Sequence, residues 1–301
     1  MKKINIKNIK KRHIGLILII FISALLLSSF VTVALKDSVN NAVWVQGKNM
    51  NDVDLDNLSK NGVQNIFIHS SAVDIFGEKN VSSWAKKANA NGIKVHIWVQ
   101  CFYNGTWVNP IDTNKKDFNY DYFNAKIDQI NKFAQIPGIS GIQLDYIRYP
   151  GNAYEYNYPN GITSTNAVSK FVSMVSDSLK NKDVTLSATV MPEREDERYY
   201  GQDVRTLSQY VDVIIPMAYS GNYNQNSTWI KETASYFKSL AWWSKVTMGI
   251  QVYVSDDNET SLPVDTIKEN SKAALDGGAD GVALFNWELM NNWFNLNEIK
   301  Q

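Results

Sequence analysis

The sequence has 301 residues, one cysteine, and equal numbers of basic and acidic side chains, 30 of each, but no acid precedes Asp37. Setting aside the basic residues of positions 1–36 leaves an acidic remainder with a net charge of about −7, a poor match for phosphates, so nucleic acid is not an expected partner. Cys101 alone forms no internal disulfide, and His13, His69 and His96 lack the spacing of a zinc site, so no metal or cofactor is expected.

In chain order, residues 1–13 form a basic segment with Lys2, Lys3, Lys7, Lys10, Lys11 and Arg12, and residues 14–35 form an apolar run without a charge. A run of about 22 residues spans a bilayer and exceeds the ~7–15 residues of a signal-peptide core. The expectation is a transmembrane anchor with its basic end in the cytoplasm and everything after Lys36 outside the cell membrane. Small residues near Thr32–Ala34 leave open cleavage to a secreted form. Residues 36–41 read as a linker, and residues 42–301 as one domain.

Within that domain, β-branched and aromatic runs alternate with helical patterns, the mark of repeated strand–helix units around a parallel sheet. Eight strands are predicted: Ala42–Gln46, Asn65–Ser70, Lys94–Gln100, Gly141–Tyr146, Thr185–Val190, Val211–Met217, Lys245–Ile250 and Gly281–Phe285. Glycines at Asn61-Gly62, Asn91-Gly92 and Gly277-Gly278 supply helix ends just before strands two, three and eight. The longer segments follow strands instead, at Cys101–Tyr120, Arg148–Thr165 and Pro192–Asp203. This pattern predicts an α/β fold, a (β/α)8 TIM barrel whose site lies at the strand C-termini. An open doubly wound sheet is the alternative, but no glycine-rich phosphate loop follows the first strand.

The stretch Gly141-Ile-Gln-Leu-Asp-Tyr-Ile-Arg-Tyr-Pro150 ends an apolar strand in Asp145, with Arg148 close enough to influence its charge. Gln143-Leu-Asp-Tyr-Ile-Arg-Tyr-Pro150 resembles the fourth-strand signature, Phe-Asp-Tyr-Ile-Arg-Phe-Pro, of a glycoside hydrolase family within the TIM-barrel superfamily. Tyr210-Val-Asp-Val-Ile-Ile-Pro-Met-Ala-Tyr-Ser220 is similar to that family's sixth strand and, more loosely, to the Met-x-Tyr strand of family 18 chitinases. The resemblance implies a glycoside hydrolase on a TIM barrel. The chitinase pattern would place a catalytic Glu at Ile147 and an Asp at Gln143, so chitinase-type chemistry is not expected. Hydrolases with an acid on strand four and a nucleophile on strand seven need a carboxylate near Gln251, where the chain reads Gly-Ile-Gln-Val-Tyr.

Glycosidic cleavage uses two carboxylates in most enzymes, so Asp145 requires a partner. Glu193, after strand five, is the leading candidate as acid/base to Asp145 as nucleophile, and Glu288, after strand eight, is the other. A solvated charged loop is the competing reading of Glu193. Candidate substrate contacts are His69, Trp98, Gln143, Tyr146, Arg148, Tyr219 and Trp287, and further rim aromatics include Tyr103, Trp107, Tyr149, Tyr223 and Tyr253. The expected partner is a polysaccharide or oligosaccharide. The competing function is a catalytically silent barrel that binds glycan. An envelope peptidase lacks a His-paired nucleophile, while a hydrolase holding metal through carboxylates alone stays open.

Overall fold

The computed structural model describes residues 41–300. The basic segment 1–13, the apolar run 14–35 and linker residues 36–40 lie outside the described residues. Among the described residues, no helix is long and apolar enough to cross a membrane.

Eight parallel strands close into a barrel: β1 (Ala42–Val45), β2 (Asn65–His69), β3 (Lys94–Gln100), β4 (Ile139–Asp145), β5 (Thr185–Val190), β6 (Val213–Ala218), β7 (Lys245–Gln251) and β8 (Gly281–Phe285). Neighbours follow sequence order around the ring, and β8 closes onto β1 through Ala42 opposite Ala283. Every predicted strand is present. The largest shifts are at starts: β4 begins at Ile139, and β6 begins at Val213, just after Asp212, whose carboxylate accepts from Leu186 N at 2.8 Å. Gly62, Gly92 and Gly278 take φ values of 76°, 75° and 92°, the left-handed conformation that ends a helix.

Alternation along each strand divides the core in two. Outward residues such as Val43, Ile66, Ile97, Leu144 and Val246 pack in one large cluster with the helices. Inside the ring, Trp44, Phe67, Trp98, Val213, Ile215 and Ala283 form a second cluster. Polar residues share that interior. Trp44 Nε1 donates to Gln143 Oε1 at 3.1 Å, and His96 Nε2 lies 3.1 Å from Asn65 Oδ1. Burial, reinforced by the Lys94 charge, lowers the His96 pKa to about 3, so this ring is neutral. The helices Tyr120–Ala134, Ser164–Leu179 and Ser227–Leu240 start at the strand C-termini, each with a side-chain cap from Asn119, Thr163 or Asn226. Two hairpins decorate the same end: Ile111–Asp112 with Asp117–Phe118, and Tyr253–Ser255 with Asn258–Ser261.

Candidate active site

Inward alternation on β4 carries Gly141, Gln143 and Asp145 up the barrel, so the strand's last residue points into the mouth. Asp145 opposes Gln100 in the β3–β4 register and lines a cavity of about 520 Å³. Asp145 is 7% exposed, and its carboxylate accepts hydrogen bonds on both oxygens. Trp98 Nε1 donates to Oδ2 at 2.9 Å, while Tyr146 N at 2.8 Å and Thr189 Oγ1 at 2.5 Å donate to Oδ1. Donors from β3, from β5 and from the next residue thus fix both oxygens.

Tyr146 achieves its contact by a left-handed backbone, φ 51°, which costs a non-glycine residue about 1 kcal/mol or more and is concentrated at functional sites. The turn lays its ring against Tyr103, with centroids 5.0 Å apart and planes at 23°. It also carries Arg148 away from Asp145. The expected contact between those two is not formed: the guanidinium sits over Trp107, Tyr146 and Tyr200 at 4.9, 5.1 and 5.6 Å and donates to Tyr149 O at 3.2 Å. Arg148 still lines the cavity, as do Trp98, Tyr146 and Tyr219. Tyr219 stacks on Phe285 at 5.3 Å. Burial, and then the charge of Asp145, raise the phenol pKa values of both Tyr146 and Tyr219. Both are neutral hydrogen-bond donors at ordinary pH.

Several expected site residues stand elsewhere. Gln143 is fully buried beneath the site, occupied by Trp44 and by its own donation to Leu144 O at 2.7 Å. The His69 Nδ1 accepts from Ser71 N at 3.2 Å, its ring stands edge-on to Trp98, and burial lowers its pKa. It supports Trp98 and does not line the cavity. Trp287 packs on the core, and Tyr149 is 2% exposed. Glu288 folds back onto the segment just after β1, where Oε1 accepts from Gln46 N at 2.7 Å and Asn49 Nδ2 at 2.9 Å. Glu193 accepts from Tyr200 and Tyr223 hydroxyls at 3.1 and 3.0 Å, and it lines a separate pocket of about 350 Å³. Tyr223 lines both spaces and stands between that carboxylate and the cavity of Asp145.

The second carboxylate in the cavity is Asp256, which sequence reading missed. No acid stands at Gln251, but the hairpin after β7 folds Asp256 back over the mouth. Its placement is built from two loops. Gln251 Oε1 accepts from Gly221 N at 2.9 Å and Asn222 N at 3.2 Å, and Gln251 Nε2 donates to Asn222 Oδ1 at 2.9 Å. Asn222 Oδ1 then accepts from Asp256 N at 2.9 Å, and Tyr253 donates its hydroxyl to Asp256 Oδ1 at 2.7 Å. Gly221 is required here, since a Cβ would lie 1.9 Å from Val254 O. Asp145 and Asp256 both contribute to the raised pKa values of Tyr146 and Tyr219, so their charges act on the same two phenols. The usable signal was polar residues, Gln251, Tyr253 and Asp256, clustered just past a barrel strand.

A family model described as "Putative glycosyl hydrolase domain" matches residues 36–249. The chain belongs to this family. It is thereby a glycoside hydrolase, and the match stops short of the hairpin that bears Asp256. Among curated proteins none matches the chain. Solved structures share the barrel at low identity. A class V chitinase from Pseudomonas fluorescens superposes with a TM-score of 0.65 at 15% identity, over 88% of this chain and 100% of that one. The PgaB (BpsB) glycoside hydrolase domain from Bordetella bronchiseptica gives 0.64 at 10% identity, over 85% and 96%. The spore cortex-lytic enzyme SleL from Bacillus cereus gives 0.60 at 15% identity, over 88% and 74%. These likenesses establish fold; Ile147, where the chitinase pattern would place its acid, is 0% exposed.

Proposed function

We propose that this glycosyl hydrolase domain cleaves a cell-envelope or extracellular polysaccharide with Asp145 and Asp256 as its carboxylate pair, held outside the membrane by residues 14–35. The observation that carries the reading is that these two carboxylates, from β4 and from the loop after β7, face one cavity while Glu193 and Glu288 do not line it. Asp145 accepts on both oxygens, the disposition of a group that attacks the anomeric carbon or activates water. Asp256 has one oxygen committed to Tyr253 and reaches the rim, suited to giving a proton to the leaving oxygen. Tyr146 and Tyr219 donate hydrogen bonds to sugar hydroxyls, and Trp98, Tyr146 and Tyr253 give the cavity an aromatic lining for the apolar side of a sugar ring. Residues 14–35 supply the membrane half of the proposal through their length and apolarity.

The test is release of reducing ends from a panel of purified envelope and extracellular glycans, read by mass spectrometry. Asp145→Asn is expected to lower the rate by ~10³-fold or more and Asp256→Asn by ~10²-fold or more, while Glu193→Gln and Glu288→Gln stay within about tenfold of wild type. A dead Glu193→Gln beside an active Asp256→Asn would overturn the pairing. Wild-type protein that binds a glycan and never cleaves it would instead establish a binding module.

A further inference from the structure

The two most exposed large hydrophobic side chains of the described residues are neighbours. Trp242 and Trp243 are each 75% exposed, in the turn between the Ser227–Leu240 helix and β7. The turn is anchored on both sides. Trp242 Nε1 donates to Ser239 O at 2.6 Å, and the Ser244 hydroxyl lies 2.8 and 2.7 Å from the carbonyls of Ser208 and Val211. Two indoles held in water by such a turn form an apolar patch without a partner inside the fold.

Topology fixes where this patch lies. In a parallel barrel all strands begin at one end, so the turn before β7 opens onto the same end as residue 41, which precedes β1. The cavity with Asp145 is at the opposite end. Each outer helix runs back toward the strand starts, and the exposed lysines Lys60, Lys87 and Lys132 occupy their last turns at the end that bears the indoles. Residues 1–40, which include the apolar run 14–35, precede β1 in the chain and lie outside the described residues. Fully extended, residues 36–40 reach at most ~18 Å. Tryptophan favours the membrane–water interface, where its ring meets acyl chains and its N–H meets headgroups, and lysines on the same end of the barrel favour anionic lipid.

We infer that Trp242 and Trp243 dock the strand-start end of the barrel on the lipid headgroup layer, with the lysines on anionic headgroups and the cavity turned away from the bilayer. This inference rests on the membrane reading of residues 14–35 above. A bilayer fits better than a second copy of the chain, because two such lysine-bearing ends repel each other.

The test uses the full chain in vesicles of 3:1 phosphatidylcholine and phosphatidylglycerol. Trp243→Cys is labelled with an environment-sensitive fluorophore, and Asn104→Cys, in the loop after β3 at the cavity end, is the control. Cys101 is buried, and burial raises its thiol pKa to about 12, so it stays unlabelled. Shallow nitroxide lipids are expected to quench the label at position 243 at least threefold more than the label at 104, and Trp242→Ser/Trp243→Ser is expected to leave glycan turnover unchanged. Equal, water-like quenching at both positions overturns the docking, as does a blue shift at 243 that depends on protein concentration and not on nitroxide lipid, which marks a dimer. Alkaline carbonate extraction separates the two readings. A chain that resists extraction but shows no quenching at 243 is anchored without docking, whereas a chain that is extracted overturns the anchor.

Discussion

Asp196 opens the short helix Asp196–Tyr200, is 4% exposed, and accepts from Glu197 N at 2.9 Å through Oδ1, while Oδ2 is buried without a partner. Burial raises its pKa from 3.8 to about 8; the hydrogen bond from Glu197 opposes the rise, and the charges of Glu193, Glu197 and Asp203 add to it. The folded chain therefore holds a proton that the unfolded chain releases above pH ~4. Stability from this group is intact below that pH and is lost progressively as the pH climbs through about 8. A shift of about four units corresponds to a ceiling near 6 kcal/mol at ~1.4 kcal/mol per unit, and hydration of this loop reduces the expected effect to roughly 2–3 kcal/mol. Asp196→Asn keeps the shape and removes the titration. Thermal melts of wild type and variant from pH 4 to pH 9, in the same detergent, isolate the group as a difference. The variant should melt within ~2 °C of wild type at pH 4 and roughly 5–10 °C above it at pH 8. A difference that does not change with pH would refute the reasoning.

Gly221→Ala puts a Cβ 1.9 Å from Val254 O, and reaching ordinary contact means parting the two loops by about 1 Å or more. That displaces Asn222 and Asp256 and should lower glycan turnover ~10²-fold with a stability cost of about 1–3 kcal/mol, measured by rates and denaturant melts together. Gly141→Ala meets His96 Nδ1 at 2.2 Å and Thr185 O at 2.7 Å inside the barrel, so loss of soluble protein or a drop of ~3 kcal/mol or more in urea unfolding is expected. Thr189→Val removes one donor to Asp145 with little change of volume, and turnover should fall about tenfold with the Michaelis constant nearly unchanged.

Strand positions, barrel closure and the place of Asp145 were all legible in the sequence, because each depends on local patterns: apolar runs, glycine at helix ends, and a carboxylate ending a strand. The direction of Asp145 follows from the same alternation that buries Leu144 among the helices. Residues read only from their proximity to strand ends fared unevenly. Gln143 lies one inward step below Asp145, which is enough to exchange a substrate contact for a bond to Trp44. Glu193 does follow β5, but Tyr223, thirty positions later in the chain, stands between it and the mouth. Asp256 shows the converse. It lies five residues beyond the expected position, and a hairpin with the Gln251–Asn222 hydrogen bonds brings it over the cavity. By itself the sequence determined the barrel and one carboxylate, since these arise from interactions within a few residues. Which second carboxylate shares the cavity was decided only when closure of the ring brought the loops after β6 and β7 together, a contact between distant segments that no local pattern encodes.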